Sequence, residues 1–200
     1  MKVHRTRLTR PLAVLMVLLA ASAAGAPAAP LPTYSLDATK STLEFAFVQA
    51  GGQNKGRFPK LAVNFSFADD NLAASHLEVT VDVAALDTAD QDRDDTLRGA
   101  DLFDVATFPQ ARFAATQITK TAASAYEASG SLVLRGVTHA LRLPITLRSA
   151  TEQGRRVLYM TGKTLIKRLD FGVGQGEWKS TEGVDNEVNV TFNLRLVAAN

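Results

Sequence analysis

Apolar and polar residues alternate with a period of two in stretch after stretch of this chain. Leu43, Phe45 and Phe47 are interleaved with Glu44 and Ala46, and Leu61, Val63, Phe65 and Phe67 with Ala62, Asn64 and Ser66. Leu77, Val79, Val81 and Val83 follow against Glu78, Thr80 and Asp82. Successive side chains of an extended strand point to opposite faces, so each run buries one face and wets the other, as half-buried antiparallel strands require. The pattern resumes over Arg112–Gln117, Ala125–Leu134, Leu141–Arg148, Arg156–Leu165 and Glu187–Val197, which brings the predicted strands to eight. An even number of antiparallel strands without a long helix points to an all-β sandwich or closed barrel. Closure leaves no edge exposed, and eight strands enclose an interior that either packs solid or holds one small ligand.

The faces opposite the apolar stripes carry Glu44, Asn64, Glu78, Asp82, Arg142, Asn189 and Arg195, which belong in water rather than in lipid. This argues against an outer-membrane barrel, whose outer face must be apolar. Asp69-Asp70-Asn71 and Glu152-Gln153-Gly154 supply turn residues between strands, and a further turn is expected over Gly136–His139. The one long interruption, Ala84–Gln110, contains seven aspartates among Leu97, Leu102, Phe103 and Phe108. It reads as a short helix over Arg93–Arg98 with an acidic first turn, its apolar residues closing one end of the barrel.

The N-terminus has a different character. Lys2, His4, Arg5, Arg7 and Arg10 precede an apolar run over Leu12–Ala21 and then the small residues Ser22-Ala23-Ala24-Gly25-Ala26. That order is the one a secretory signal peptide needs, with cleavage after Ala23 or Ala26. An apolar run of this length spans about 15 Å of a roughly 30 Å hydrocarbon core, too little for an anchor. Residues 1–26 are therefore expected to be removed on export to the periplasm, 27–33 to be a flexible lead-in, and 34–198 to form one barrel domain. Of 22 Lys plus Arg, four lie in this leader, which leaves 18 against 20 Asp plus Glu. A mature chain of slightly acidic balance has no large positive field for nucleic acid. There is no cysteine, so disulfides, thiolate catalysis and Cys-ligated metals are excluded.

Catalytic constellations are sparse. No H-E-x-x-H or G-x-S-x-G occurs, and Gly172, Gly174 and Gly176 do not end in the Lys-Ser or Lys-Thr of a phosphate loop. His139 with a nearby serine such as Ser131 is a pair a hydrolase could use, but no catalytic motif surrounds it. The aspartates between Asp87 and Asp95 lack the spacing of a calcium loop. No enzyme activity, metal or cofactor is expected.

Several motifs are nonetheless specific. Arg93-Asp94-Asp95-Thr96-Leu97-Arg98 is followed by Asp101-Leu102-Phe103-Asp104 and Phe108-Pro109. Gly56-Arg57-Phe58, Gly130-Ser131-Leu132, Leu134-Arg135-Gly136-Val137-Thr138, Lys167-Arg168-Leu169-Asp170-Phe171-Gly172-Val173 and the stretch from Val184 to Val188 stand in order around it. Together these resemble the YceI-like, polyisoprenoid-binding periplasmic proteins over Tyr34–Ala198. The resemblance implies an extended eight-stranded, lipocalin-like antiparallel barrel with an elongated apolar cavity for a long isoprenoid. It places Leu43, Phe45, Phe47, Val63, Phe65, Phe67, Leu132, Leu134, Ile145, Leu147 and Phe192 on the wall of a tube. Phe58, Phe103, Phe171 and Trp178 join them from the motif segments. Arg93 and Arg168 are the candidate head-group contacts, because a guanidinium offers a rigid fork to phosphate or carbonyl oxygen. The family often has histidines near positions 49 and 96, where this chain has Gln49 and Thr96.

Two readings stay open at this level. Inward aromatics serve a hollow tube or a solid core equally well, so the chain is either a non-catalytic carrier of a polyprenyl or quinone-like lipid, or a solid barrel acting as a protein-interaction or stress-response module. A homodimer and a transient contact with an inner-membrane protein are both compatible with the carrier reading.

Overall fold

The computed structural model describes Met1 and residues 30–199. Residues 2–26 of the expected signal segment and 27–29 of the lead-in lie outside the described residues. The strands are β1 (Thr33–Leu36), β2 (Thr42–Gln49), β3 (Gly52–Arg57), β4 (Leu61–Ser66), β5 (His76–Asp82), β6 (Gln110–Lys120), β7 (Ala125–Leu134), β8 (Val137–Glu152), β9 (Arg155–Lys167) and β10 (Glu187–Ala198). One α-helix, α1 (Gln91–Arg98), lies between β5 and β6.

Every pairing is antiparallel, and the ring closes because β1 pairs with both β4 and β10. β1 and β2 lie along the same side of β10, with Leu36 opposite Leu196 and Thr42 opposite Asn193. β3 pairs with β2 and leads into β4, which pairs with β1. The ten segments therefore make eight staves, two of them broken: of the sandwich and the closed barrel that the alternation allowed, the chain forms the barrel that the family resemblance implies. The breaks have a steric reason. Tyr34 and Leu36 face inward at even positions and Leu43, Phe45 and Phe47 at odd ones, so a phase change is needed. A 3-10 helix at Ala38–Lys40 supplies it. In β6 a bulge between Ala115 and Gln117 does the same, bringing Ile118 inward after Phe113.

One half of the interior is packed solid. Phe65, Leu77 and Leu196 are fully buried, and Phe65 contacts Tyr34 and Phe67 at ring-centroid distances of 6.0 and 5.3 Å. Tyr126 meets Phe67 edge-on at 5.3 Å and ties its hydroxyl to Asp69 at 2.8 Å. Ile118, Ile145, Leu147, Leu158 and Leu196 complete this cluster. Tight turns at Arg135-Gly136 and Gln153-Gly154 take positive φ at both residues, the geometry of a two-residue hairpin. The turn expected over Gly136–His139 is thus confined to Arg135-Gly136, and His139 sits within β8, because the short hairpin extends the ladder from Leu134–Val137 onward. Among the described residues no helix is long and apolar enough to cross a membrane.

Candidate binding cavity

Above the packed half the barrel is hollow. A cavity of about 530 Å³ extends from a floor of Leu77, Phe113, Met160, Phe192 and Leu194 to a roof made by α1 and the loop carrying Trp178. Along β10 it reaches from Val188 to Leu194, about 20 Å of strand at roughly 3.3 Å per residue.

Two features open the barrel at this end. The β8–β9 ladder runs from Glu152–Arg155 only as far as Ile145–Gly162, so Val137–Pro144 pair with β7 alone and Lys163–Lys167 with β10 alone. On the other side β3 pairs with β2 and touches the rest of the barrel through an isolated bridge, Arg57 to Asp87. With both walls spread, the side chains that interlock lower down no longer meet.

The wall is aromatic on one side. Phe45 lies 6.1 Å from Phe47 and 4.9 Å from Phe58, and Phe58 meets Phe103 edge-on at 6.2 Å. Gly56 makes this possible: a Cβ there would collide with the outer edge of the Phe45 ring. The remaining wall is aliphatic, from Val79, Val81, Leu132, Leu134, Leu141, Leu143, Ile166 and Val190.

The roof is fixed by polar contacts, of which those of Asp94 are buried. Asp90 caps α1 by accepting from the Arg93 amide at 3.1 Å and pairs with the Arg93 guanidinium at 3.1 Å. Asp94, 6% exposed, accepts from the Thr88 amide and hydroxyl at 2.9 and 2.7 Å. Arg98 donates to the carbonyls of Ala84 and Leu86 at 2.9 and 2.7 Å, clamping the helix to the segment after β5. Leu97, Leu102 and Phe103 can then face the cavity.

Arg168 holds the opposite rim. It is 5% exposed and donates from Nε to Asp185 O, from one terminal nitrogen to Val173 O and Trp178 O, and from the other to Ser180 O and Val184 O. All five N–H groups of a guanidinium are thereby used. Burial lowers its pKa. A head-group role for Arg168 is displaced by this geometry, since no donor is left over. Arg93 borders the cavity, shared with Asp90.

The sequence-derived wall divides by height. Leu43, Phe45, Phe47, Phe58, Phe103, Leu132, Leu134, Trp178 and Phe192 border the cavity. Val63, Phe65, Phe67, Ile145 and Leu147 belong instead to the packed cluster beneath it, where the ladder is continuous and opposing side chains interlock. Phe171 also leaves the wall. It packs with Leu102, Ile166 and Val173 and meets the His139 ring at 5.0 Å. His139 Nε2 lies 2.9 Å from Asp170 O, so it carries the proton and straps β8 to the segment after β9. Val79, Val81, Leu141, Leu143, Ile166, Val188 and Val190 were missed, although they stand on the same alternating stripes. Polar side chains are few: Gln49, Asp90, Asp92 and Thr96 join Arg93 on the border, and Thr164 projects from the wall of β9. Gln49 and Thr96 thus both border the cavity.

A closed up-and-down barrel, packed at one end and hollow under a short helix at the other, is a small-ligand-binding barrel in architecture. Residues 34–196 match the YceI-like domain, and the chain belongs to that family. Its relatives include a UPF0312 protein of Enterobacter, 32% identical over 68% of this chain and 71% of the relative. A UPF0312 protein of Vibrio vulnificus is 29% identical over 70% and 71%. The crystal structure of Burkholderia cenocepacia BcnA superimposes with a TM-score of 0.74 at 31% identity, covering 80% of this chain and 98% of that one. A polyisoprenoid binding domain from Saccharophagus degradans, implicated in plant cell wall breakdown, shares the fold with a TM-score of 0.67 at 22% identity, covering 83% and 98%.

Proposed function

We propose that this protein binds a long isoprenoid lipid, polyprenyl or quinone-like, in the barrel cavity without covalent chemistry, and stores or carries it in the periplasm. The observation that carries the reading is the apolar-walled space of about 530 Å³, within the range of sites that bury most of a small ligand. The fold shared with a polyisoprenoid binding domain supports it. A prenyl tail gains about 0.8 kcal/mol per buried carbon, or roughly 4 kcal/mol for each five-carbon unit before ordering costs.

The border narrows the head group. Asp90 and Asp92 outnumber Arg93, and Arg168 is saturated by carbonyls. A phosphate placed there would lie beside two carboxylates and find one guanidinium with donors to offer, Arg93, itself already shared with Asp90, whereas a neutral ring is accepted by Gln49, Thr96 and Trp178. A quinone-like head therefore fits better than a polyprenyl phosphate. The interaction-module alternative presupposed a wholly packed interior, which only the lower half of this barrel has.

The test is native mass spectrometry of protein purified without added lipid, followed by titration of emptied protein with a prenyl quinone and a prenyl phosphate. Trp178, the single tryptophan, is the reporter, since a quinone at the border quenches its emission. Empty protein combined with no response to either lipid defeats the reading.

A further inference from the structure

The charges on the outside of this barrel are unevenly matched. Arg57, Arg112 and Lys120 are paired with Asp87, Glu78 and Asp69. The β8–β9 hairpin differs. Between Val137 and Lys167 it carries Arg142, Arg148, Arg155, Arg156, Lys163 and Lys167, all exposed, against one acid, Glu152. Among the described residues none of these six forms an ion pair. Arg148 lies over the Tyr159 ring at 4.3 Å and Arg155 donates to Ala198 O at 2.7 Å. Glu152 is itself held by Arg195 and the Tyr159 hydroxyl. Two acids flank the face, Glu187 opposite Lys167 and Glu127 opposite Pro144. Arg156 shares the inward parity of Leu158 and Met160 at the barrel end, so the outer face carries five cations against three acids and is positive.

Leu165 stands between Lys163 and Lys167 and is 43% exposed, the one large exposed hydrophobic residue within 30–199. It sits where β8 and β9 part above Ile145–Gly162. Directly behind that seam, Leu141, Leu143, Thr164 and Ile166 line the cavity.

We propose that the outer face of β8 and β9 docks on an anionic lipid bilayer and turns the unpaired seam toward the membrane. The partner follows from the chemistry. Unpaired lysines and arginines are attracted to anionic head groups within a Debye length, and an exposed leucine among them gains by entering the interface. An acidic protein or polymer would use the cations and leave Leu165 without a role. The seam's use as a route for lipid into the cavity rests on the function proposed above; the docking does not.

The experiment is co-sedimentation of the exported chain with vesicles of phosphatidylcholine alone and of equal parts phosphatidylcholine and phosphatidylglycerol, at low and high salt. Binding is expected to the anionic vesicles only and to weaken with salt. At about fivefold per neutralised charge, the combined variant Arg142→Gln, Lys163→Gln, Lys167→Gln is expected to lose roughly a hundredfold. The variant Lys55→Gln, Lys60→Gln, on the stave across the barrel, keeps wild-type binding. Leu165→Ser weakens vesicle binding but not association with polyglutamate. Equal binding to neutral vesicles, equal loss in both lysine variants, or no binding overturns the proposal. Polyglutamate binding with vesicle binding indifferent to Leu165→Ser overturns it in favour of an acidic macromolecule. All substituted side chains are exposed, and thermal melts verify that the variants fold. Prenyl quinone uptake without vesicles separates the two readings: uptake without docking removes the docking alone, and docking without uptake removes the cavity function alone.

Discussion

The Arg168 guanidinium donates to the Trp178 carbonyl oxygen at 2.7 Å, joining the end of a cavity-lining strand to the loop that roofs the cavity. Four further carbonyls, from Val173, Ser180, Val184 and Asp185, converge on the same group. The carbonyls are fixed because one fork satisfies them all, and the indole is held at the border as a result. Arg168→Ala leaves these acceptors without their donor and is expected to cost on the order of 3–5 kcal/mol in urea denaturation. Arg168→Lys recovers less than half, because an ammonium has three donors and no planar fork. Full stability in Arg168→Lys would contradict this account.

Residues at two heights of one barrel respond differently to a change in volume. Leu134→Trp fills space in the cavity, so prenyl quinone affinity falls at least about tenfold, the equivalent of displacing two buried carbons, while the melting temperature changes little. Phe65 is fully buried in the packed half. Phe65→Ala is expected to lose roughly 3–5 kcal/mol of stability, with ligand affinity per folded molecule preserved. Calorimetric melts and quinone titration of both variants check the pair, and a reversed pattern would place the ligand in the lower half.

Acid sensitivity follows from carboxylates held in their charged form. The hydroxyl of Thr39, then the guanidinium of Arg195, hold Asp37 below the ordinary aspartate value of 3.8. The Tyr159 hydroxyl, then Arg195, hold Glu152 below the glutamate value of 4.5. Lys120 and the Tyr126 hydroxyl do the same for Asp69. Groups depressed in the folded state contribute stability above their unfolded values and lose it as pH falls through the folded ones. The melting temperature should therefore be level from neutral pH down to the ordinary carboxylate range and decline below it. Tyr159→Phe should make that decline shallower, and an unchanged pH profile in this variant would count against the Glu152 contact.

Gly162 marks the last rung of the β8–β9 ladder. A Cβ there would meet the Phe192 ring tip and lie 2.5 Å from the Pro144 carbonyl oxygen, an atom of the backbone. Gly162→Val is expected to cost about 1–3 kcal/mol through overpacking and to reduce quinone uptake by displacing Phe192 from the floor. Wild-type melting and uptake would show that the strands part freely at this point.

Much of this architecture is legible residue by residue. Alternation at Phe45, Phe65, Leu132 and Phe192 marks the staves and their inward faces, because the pleat places every second side chain on one side whatever surrounds it. The helix expected over Arg93–Arg98 from its acidic residues is present, and it begins two residues earlier, at Gln91, because the Asp90 side chain caps it there. β3, Gly-Gln-Asn-Lys-Gly-Arg, shows no alternation and was not anticipated. It is a strand because the turn at Ala50-Gly51 folds it onto β2.

The sequence by itself determined which side chains face inward, how many staves the ring has and to which family the chain belongs, since each of these depends on local periodicity or on short motifs. Tertiary structure alone decided that Phe65 is core while Phe45 is wall, and that Arg168 is spent on carbonyls rather than offered to a ligand. Those outcomes depend on distances between segments far apart in the chain. Where the strands are paired on both sides the interior fills, and where β8 and β9 part it stays open.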